Sequence, residues 1–421
     1  MIGGRFHREE KSLERRHSEF PALDGYRAVA AFAVLTTHVA FTTGATGWPV
    51  LGPVLFHLDF GVTLFFLLSG FLLYRPWAAA SLAGAKAPAF GPYLWRRALR
   101  ILPAYVVMVA VTLLVLPEIQ PVTAREWGAN LLLLHIYVPD TVVEGLTQTW
   151  SLATEVSFYL VLPLIAWVAG RVGRGNPERS ARYQVGVLVA VALVSIPFRL
   201  ALKGSGYDAG GLAGFWLPGF LDWFALGMIC AVVRERIRFG GAGRGWTALR
   251  EVADDSAFAV AAGVLLFLLA CTPLGGPYEL VAGSLWQDGL KHSLYGFAAL
   301  LLLLPGFLST RQNRITGTLA HPAPRFLGEI SYGVFLWHLV LLRLLVDLLD
   351  IQPFSGGFAW VWTVTVLLTI VAATASFRWV ELPAQRFRRL RRRAAADDGS
   401  PHGEQDEERH QTSHRGGRPR E

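Results

Sequence analysis

The chain has 421 residues, 53% hydrophobic and only 17% charged, with a mean hydropathy of +0.40. That balance excludes an ordinary water-soluble domain and indicates a polytopic membrane protein. The net charge of +8 is spread along short loops and the C-terminal flank, so membrane topology and anionic lipid account for it without nucleic acid as a partner.

Residues 1–21 are polar and read as a cytosolic N-terminal arm; they carry no cleavable-signal pattern, and the first apolar stretch reads as a retained anchor. Ten apolar stretches follow, at 23–42, 56–73, 101–116, 150–169, 185–200, 215–233, 258–271, 290–308, 330–349 and 358–380. Each suits a membrane crossing. An eleventh, 131–138, is too short to cross and is expected as a re-entrant or interfacial helix. The fold class is therefore all-α, with ten crossings. Short positively charged loops stay cytosolic. With the N-terminus inside, the four inner loops hold seventeen Lys or Arg residues, whereas the outer connections hold only Arg125 and Lys203. Both termini are then cytosolic.

Cys230 and Cys271 each sit within an apolar stretch, so neither a disulfide framework nor a metal site is expected. The membrane domain is expected over 22–385, and 386–421 is a basic, polar tail unable to bury a core. His402, His410 and His414 belong to that tail and read as solvated. No repeat of fixed period and no separate soluble domain is apparent in the sequence.

Within the first crossing, Arg27 and His38 lie eleven residues apart. On a helix, eleven steps return to within about 20° of the same face, with an axial rise of about 16 Å. Ionisable groups so placed in a membrane mark a site by default. Desolvation disfavours the imidazolium, so His38 is expected to be neutral near pH 7 and able to accept a proton. A hydrogen-bonded core histidine is the bland alternative. Arg27 suits phosphate oxygens, yet it can equally anchor lipid phosphate or pair with Asp24 three residues earlier.

Further motifs follow in order. They are Phe65-Phe66-Leu67-Leu68-Ser69-Gly70-Phe71; Tyr93 with Arg96, Arg97, Arg100, Ile101 and Pro103; and Trp150-Ser151-Leu152 with Glu155, Phe158 and Tyr159. Gly328, Ser331, Tyr332, Phe335, Leu336 and His338, then Ser376, Glu381 and Pro383, complete the set. Together with Leu23-Asp24-Gly25-Tyr26-Arg27 and His38, this series resembles the bacterial membrane acyltransferase-3 family over about 22–385. The resemblance implies transfer of an acyl group, usually acetyl from coenzyme A, to a hydroxyl of a glycan, glycolipid or macrolide. Acyl-CoA would be a co-substrate, with no permanently bound cofactor and no metal. The implied setting is the bacterial cytoplasmic membrane.

On that reading His38 is the general base and Glu155 its partner or the acceptor's, with a bundle salt bridge as the alternative for Glu155. Arg27, Arg96, Arg97 and Arg100 bind the donor, although lipid-snorkelling is the commoner fate of such arginines. Asp24, Ser69, Trp150, Ser331, Tyr332, His338 and Glu381 line or support the cavity. Ser69 is either a packing residue or an acyl-accepting nucleophile, and Ser331 either lines the cavity or bonds back to its own helix. A transporter or flippase of a lipid-linked substrate would also need buried His, Glu and Arg, and is the competing reading.

Overall fold

A computed structural model of the chain describes residues 20–116, 121–205, 212–240, 243–277, 283–309, 311 and 313–387. Nearly all of residues 1–21 and of the tail, including its three histidines, lie outside the described residues. The described residues form helices and turns, with no strand among them. Fifteen helices carry the argument: α1 (Pro21–Thr43), α2 (Gly61–Leu82), α3 (Phe90–Val115), α4 (Ala124–Leu131), α5 (Trp150–Ala169), α6 (Pro177–Leu193), α7 (Ser195–Ser205), α8 (Leu221–Arg238), α9 (Arg244–Asp254), α10 (Ser256–Ala270), α11 (Leu285–Leu308), α12 (Arg314–Leu319), α13 (Pro322–Glu329), α14 (Ser331–Leu348) and α15 (Phe358–Ser376).

Each of the ten apolar stretches is helical. Among the described residues, eight helices are long and apolar enough to cross a membrane, or nine if α9 and α10, bent by 86°, form one span. The first crossing, α1, is not among them. Its 23 residues nevertheless extend about 35 Å, which exceeds the hydrocarbon thickness. Pro21 starts it at a position where no backbone N–H is needed, and Gly44, at φ +77°, caps its end in the left-handed region.

The expected short helix at 131–138 is not formed. The helix there is α4, which ends at Leu131, and the chain then runs through turns to Trp150, with Leu133 and Asp140 at φ +57°. Asn130 stops it: its Nδ2 donates both to the Glu126 carbonyl in its own helix and to the Thr141 carbonyl, at 2.9 and 2.8 Å. Irregular backbone at such depth needs protein cover, and His135, Ile136, Thr141 and Leu146 are all buried.

Two layers of burial order the bundle. In α8, 67% of the most apolar window is buried, against 11% in the α6–α7 span and 22% around α15; the first is central, the others peripheral. Apolar attraction between helices vanishes in lipid, so close packing has to hold them. At the centre α2 and α8 meet through Gly70 against the Phe224 carbonyl and Gly227 against the Leu67 carbonyl, with no room for a Cβ at either. Aromatic stacks flank that seam: Phe66 on Phe224 at 4.5 Å, Phe158 on Phe224 at 4.0 Å and Phe71 on Phe307 at 4.1 Å between centroids. Each contributes about 0.5–1.5 kcal/mol beyond its buried area. This rigid seam fixes the polar face of α2, and with it Ser69.

Gly227→Ala is expected to destabilise the protein by about 1–3 kcal/mol through overpacking. Gly289→Ala, where an added Cβ meets nothing within 4 Å, is expected to leave the melting temperature unchanged or slightly higher. Thermal unfolding of the purified variants in detergent checks the contrast.

Candidate active site

The common face of α1 opens on two cavities at different depths. Arg27 lines the first, of about 460 Å³, and His38 lines the second, of about 300 Å³. The α14 face repeats the arrangement: Ser331 lines the first cavity, while His338, seven residues on, reaches His38. On α5 the boundary is one residue thick, since Trp150 lines the second cavity and Ser151 the first. Trp150 stacks on Phe215 at 4.6 Å and meets the edge of Phe66 at 6.3 Å between centroids. Phe66, in the lining of the first space, and Trp150, in the lining of the second, thus meet where the two come together.

Four guanidinium groups, those of Arg27, Arg75, Arg97 and Arg100, line the first cavity against two carboxylates, Asp24 and Glu155. Asp24 holds Arg27 loosely, at 3.9 Å. Arg75 donates from Nε to the buried Glu235 at 2.7 Å and lies over the Phe20 ring, 4.7 Å from its centroid. The Nε of Arg97 is buried with no protein partner. A cavity with surplus positive charge and an unpaired guanidinium N–H fits a polyanionic ligand such as a phosphate-bearing donor. Arg96 does not line it. Taking Arg96 as zero, Arg97, Arg100 and Ile101 fall at about 100°, 40° and 140° around α3, so the cavity face leaves Arg96 at its edge.

Glu155 does not reach His38. Its Oε1 accepts hydrogen bonds from the Ser69 hydroxyl and, at 2.7 Å, from the Tyr159 hydroxyl, inside the arginine-lined cavity. Ser331 donates back to the Gly328 carbonyl at 2.7 Å while still lining the cavity, and Tyr332 spans to the Ile101 carbonyl at 2.9 Å. Glu381, buried in a π-helical turn (Phe377–Glu381), is near enough to Arg100 to interact electrostatically. It stands behind the cavity rather than in its lining.

His38 is held in one tautomer. Its Nδ1 lies 2.7 Å from the Val34 carbonyl, which can only accept, so Nδ1 carries the proton and Nε2 the lone pair. His338 supports the ring from behind: its own Nδ1 donates to the Val334 carbonyl at 3.1 Å, and its Nε2 stands 3.4 Å from His38 Nδ1. A neutral imidazole with Nε2 available and its other nitrogen anchored is the arrangement a general base requires.

Three residues at these cavities escaped sequence reasoning. Arg75 is in the sequence one of the seventeen inner-loop cations, and His135 and Gln148 lie in turns, Gln148 in the 3-10 turn Thr147–Thr149, where no periodicity points to them. The one available signal was their polarity within 131–150, a stretch otherwise apolar enough to be buried. A further cavity, of about 690 Å³, lies elsewhere, between α7 and α11, and none of the expected residues lines it. Its two cations, Arg199 and Lys203, are already engaged by the Asp288 carbonyl and carboxylate respectively. Among the described residues no group of His, Cys, Asp and Glu is arranged to hold a metal ion.

Residues 20–378 match a protein family described as an acyltransferase domain. Among curated proteins, the chain is 24% identical to the peptidoglycan O-acetyltransferase OatA of Listeria monocytogenes, over 87% of this chain and 56% of that protein. It is 29% identical to acyltransferase MdmB of Streptomyces mycarofaciens, over 51% of this chain and 57% of that protein. Nodulation protein 10 of Rhizobium leguminosarum bv. viciae is 24% identical, over 87% of this chain and 93% of its own length. The chain thus spans little more than half of the first two. No solved structure matches.

Glu155→Ala removes the acceptor of both Ser69 and Tyr159 and is expected to cost about 1–3 kcal/mol of stability. Glu155→Gln retains a carbonyl oxygen and is expected to cost less. Thermal unfolding of the two variants side by side checks this, and equal losses would place the value of Glu155 in its charge rather than in these bonds.

Proposed function

The chain belongs to the acyltransferase-3 family, and from that premise we propose that it is an integral-membrane O-acyltransferase moving an acyl group, acetyl in the simplest case, from acyl-CoA to a hydroxyl of a glycan, glycolipid or macrolide. One observation carries this reading: a single helix face bears a cation-rich cavity at Arg27 and, about 16 Å along the axis, a cavity with an anchored imidazole at His38. The first suits the phosphates of coenzyme A through Arg27, Arg97 and Arg100. The second suits an alcohol whose proton must be removed. The charge of the inner loops argues that the first opens to the cytosol, where acyl-CoA is made, with both termini on that side of the bacterial cytoplasmic membrane.

The chemistry then needs few parts. A thioester is already activated, so direct attack by the alcohol requires a base, alignment and charge stabilisation rather than an obligatory acyl-enzyme. His38 Nε2 takes the hydroxyl proton as the alcohol oxygen bonds to the acyl carbon. The carbon–sulfur bond breaks, the thiolate of coenzyme A leaves, and the proton held by His38 passes to it, directly or through water, which yields the free thiol and restores the neutral base. For the reacting atoms to meet, the acyl end of the donor has to pass the Trp150 ring. Ser69, bound to Glu155, stays a supporting residue in this scheme.

With radiolabelled acetyl-CoA and a cell-envelope extract as acceptor, His38→Ala is expected to lower transfer by about 10²–10⁴-fold while donor affinity is kept. Arg27→Ala is expected to weaken donor binding by about tenfold or more, as loss of a charge-assisted bond does. Turnover retained without the imidazole would refute the assignment of the base, and unchanged donor affinity would return Arg27 to an anchoring role.

A further inference from the structure

A cavity of about 690 Å³ between α7 and α11 is lined by none of the groups used in the proposed transfer. Side chains at helical spacing face it: Ser195, Arg199 and Lys203 from α7, and Leu285, Asp288 and His292 from α11. With both termini cytosolic, Lys203 and Leu285 stand at the extracytoplasmic ends of these helices. The neighbouring Trp286, 59% exposed, suits the depth of the membrane interface. Three apolar residues of the lining, Ile196, Leu200 and Leu285, are themselves 47–56% exposed, and only 11% of the most apolar window of the α6–α7 span is buried. The bilayer therefore borders this cavity, and an amphiphile of the outer leaflet can enter it sideways.

Most polar groups of the lining are already matched. Lys203 holds the Asp288 carboxylate and the Gly283 carbonyl, the latter at 3.0 Å. Asp222 accepts from His292 Nε2 at 2.7 Å and from the Trp223 backbone N–H at 2.9 Å. Two groups remain open. Arg199 donates from Nη2 to the neutral Asp288 carbonyl at 3.2 Å; its other N–H groups have no hydrogen-bond partner among the described residues and are not sealed from the cavity. The His292 ring is fixed by stacking on Trp223, 4.1 Å between centroids, and its Nε2 hydrogen is committed to the carboxylate. Nδ1 is then its free polar atom, an acceptor in the neutral ring, likewise unpartnered among the described residues and not sealed off. The carbonyl that Arg199 holds belongs to the residue one turn before His292, so the donor fork and the acceptor stand within about one turn of each other.

We propose that this cavity binds a phospholipid of the outer leaflet whose head group carries hydrogen-bond donors. The phosphate lies on Arg199, a head-group hydroxyl or ammonium donates to His292 Nδ1, and the acyl chains leave past Ile196 and Leu200 along the lipid-facing side of α7. This site does not rest on the acyltransferase reading. A guanidinium fork bonded only to a neutral carbonyl has donors to spare for phosphate oxygens. Phosphatidylglycerol and phosphatidylethanolamine each carry a donor beside the phosphate, whereas phosphatidylcholine carries none. The volume falls within the range of ligand pockets, about 300–1,000 Å³, and Gly289, where an added Cβ meets nothing within 4 Å, leaves the α11 wall open to a head group. The half-exposed apolar rim favours a lipid over a soluble phosphate ester, which has nothing to place there.

The test uses the full-length protein, delipidated in detergent, with native mass spectrometry reading which lipid is retained. The probes are phosphatidylglycerol, phosphatidylethanolamine, phosphatidylcholine and diacylglycerol with matched chains. The wild type is expected to hold phosphatidylglycerol or phosphatidylethanolamine about fivefold or more above phosphatidylcholine, and about tenfold or more above diacylglycerol. Arg199→Met is expected to abolish the preference for phospholipid over diacylglycerol. His292→Phe is expected to abolish the preference over phosphatidylcholine and to keep that over diacylglycerol. Gly289→Phe, which places a ring in open space and removes no polar group, is expected to lower retention of every lipid, and it decides the matter if either of the other variants fails to fold. Equal retention of all four lipids by the wild type, or unchanged retention by folded Gly289→Phe, overturns the inference. Displacement of the lipid by an equal concentration of soluble glycerophosphoglycerol overturns it too, by assigning the site to a free phosphodiester.

Discussion

A helix in lipid satisfies its own backbone hydrogen bonds but does nothing for a polar side chain that projects from it. For α1 that constraint is decisive, because it carries Asp24, Arg27 and His38 within 23 residues. The only tolerable place for such a helix is the interior, with its polar face turned to other polar groups or to enclosed water. The rest of the bundle conforms: α2, α13 and α14 close round α1, with Gly61 against the Ala30 carbonyl and Gly328 against the Asp24 backbone. Small residues at these crossings bring the backbones near enough for the face of α1 to meet α5 and α14 across two cavities rather than across lipid.

Much of this was legible in the sequence, and the physical reason is periodicity. Apolar stretches of membrane length foretold where the long helices lie, eight or nine of which can cross a membrane among the described residues against the ten crossings expected, and the eleven-residue step from Arg27 to His38 foretold a helix lining cavities at both positions. Periodicity gives angle, not depth. Glu155 reads in the sequence as a partner of His38 or of the acceptor; in the structure its carboxylate accepts from Ser69 and Tyr159 beside the arginines, since the difference between the arginine-lined cavity and the imidazole-lined one is the single step from Trp150 to Ser151. Arg96 and Arg97 were likewise inseparable until the orientation of α3 about its own axis was known. The turns between Leu131 and Trp150 carry no period at all, and hydrogen bonds from Asn130, rather than any pattern of hydrophobicity, shape them. His135 and Gln148 were invisible for that reason.

The two cavities also differ in kind. The first gathers charge: four arginines, partly offset by carboxylates that are themselves tied to Ser69, Tyr159 or Arg27. The second contains no Arg, Lys, Asp or Glu in its lining, and the ring of His38 there is anchored through Nδ1 to the Val34 carbonyl. Arginine forks keep their charge in almost any environment and hold phosphate by attraction over several ångströms. Neutral imidazoles act only at hydrogen-bond distance and in one direction. A chain that must bind a highly charged molecule on one side and activate a neutral hydroxyl on the other has reason to keep these functions apart, because a cation beside His38 would lower its basicity.

Keeping them apart creates a further demand at Trp150. Its ring belongs to the lining of the imidazole cavity, stacks on Phe215 and touches Phe66, which lines the arginine cavity. An open passage at this level would connect the two aqueous sides and let water compete with the acceptor for the thioester. A rigid wall would keep the thioester from the base. On the proposed transfer, the acyl end of a donor held among the arginines reaches His38 only if the Trp150 ring gives way, whereas the groups on either side of it are held by hydrogen bonds, Glu155 by Ser69 and Tyr159 and His38 by the Val34 carbonyl.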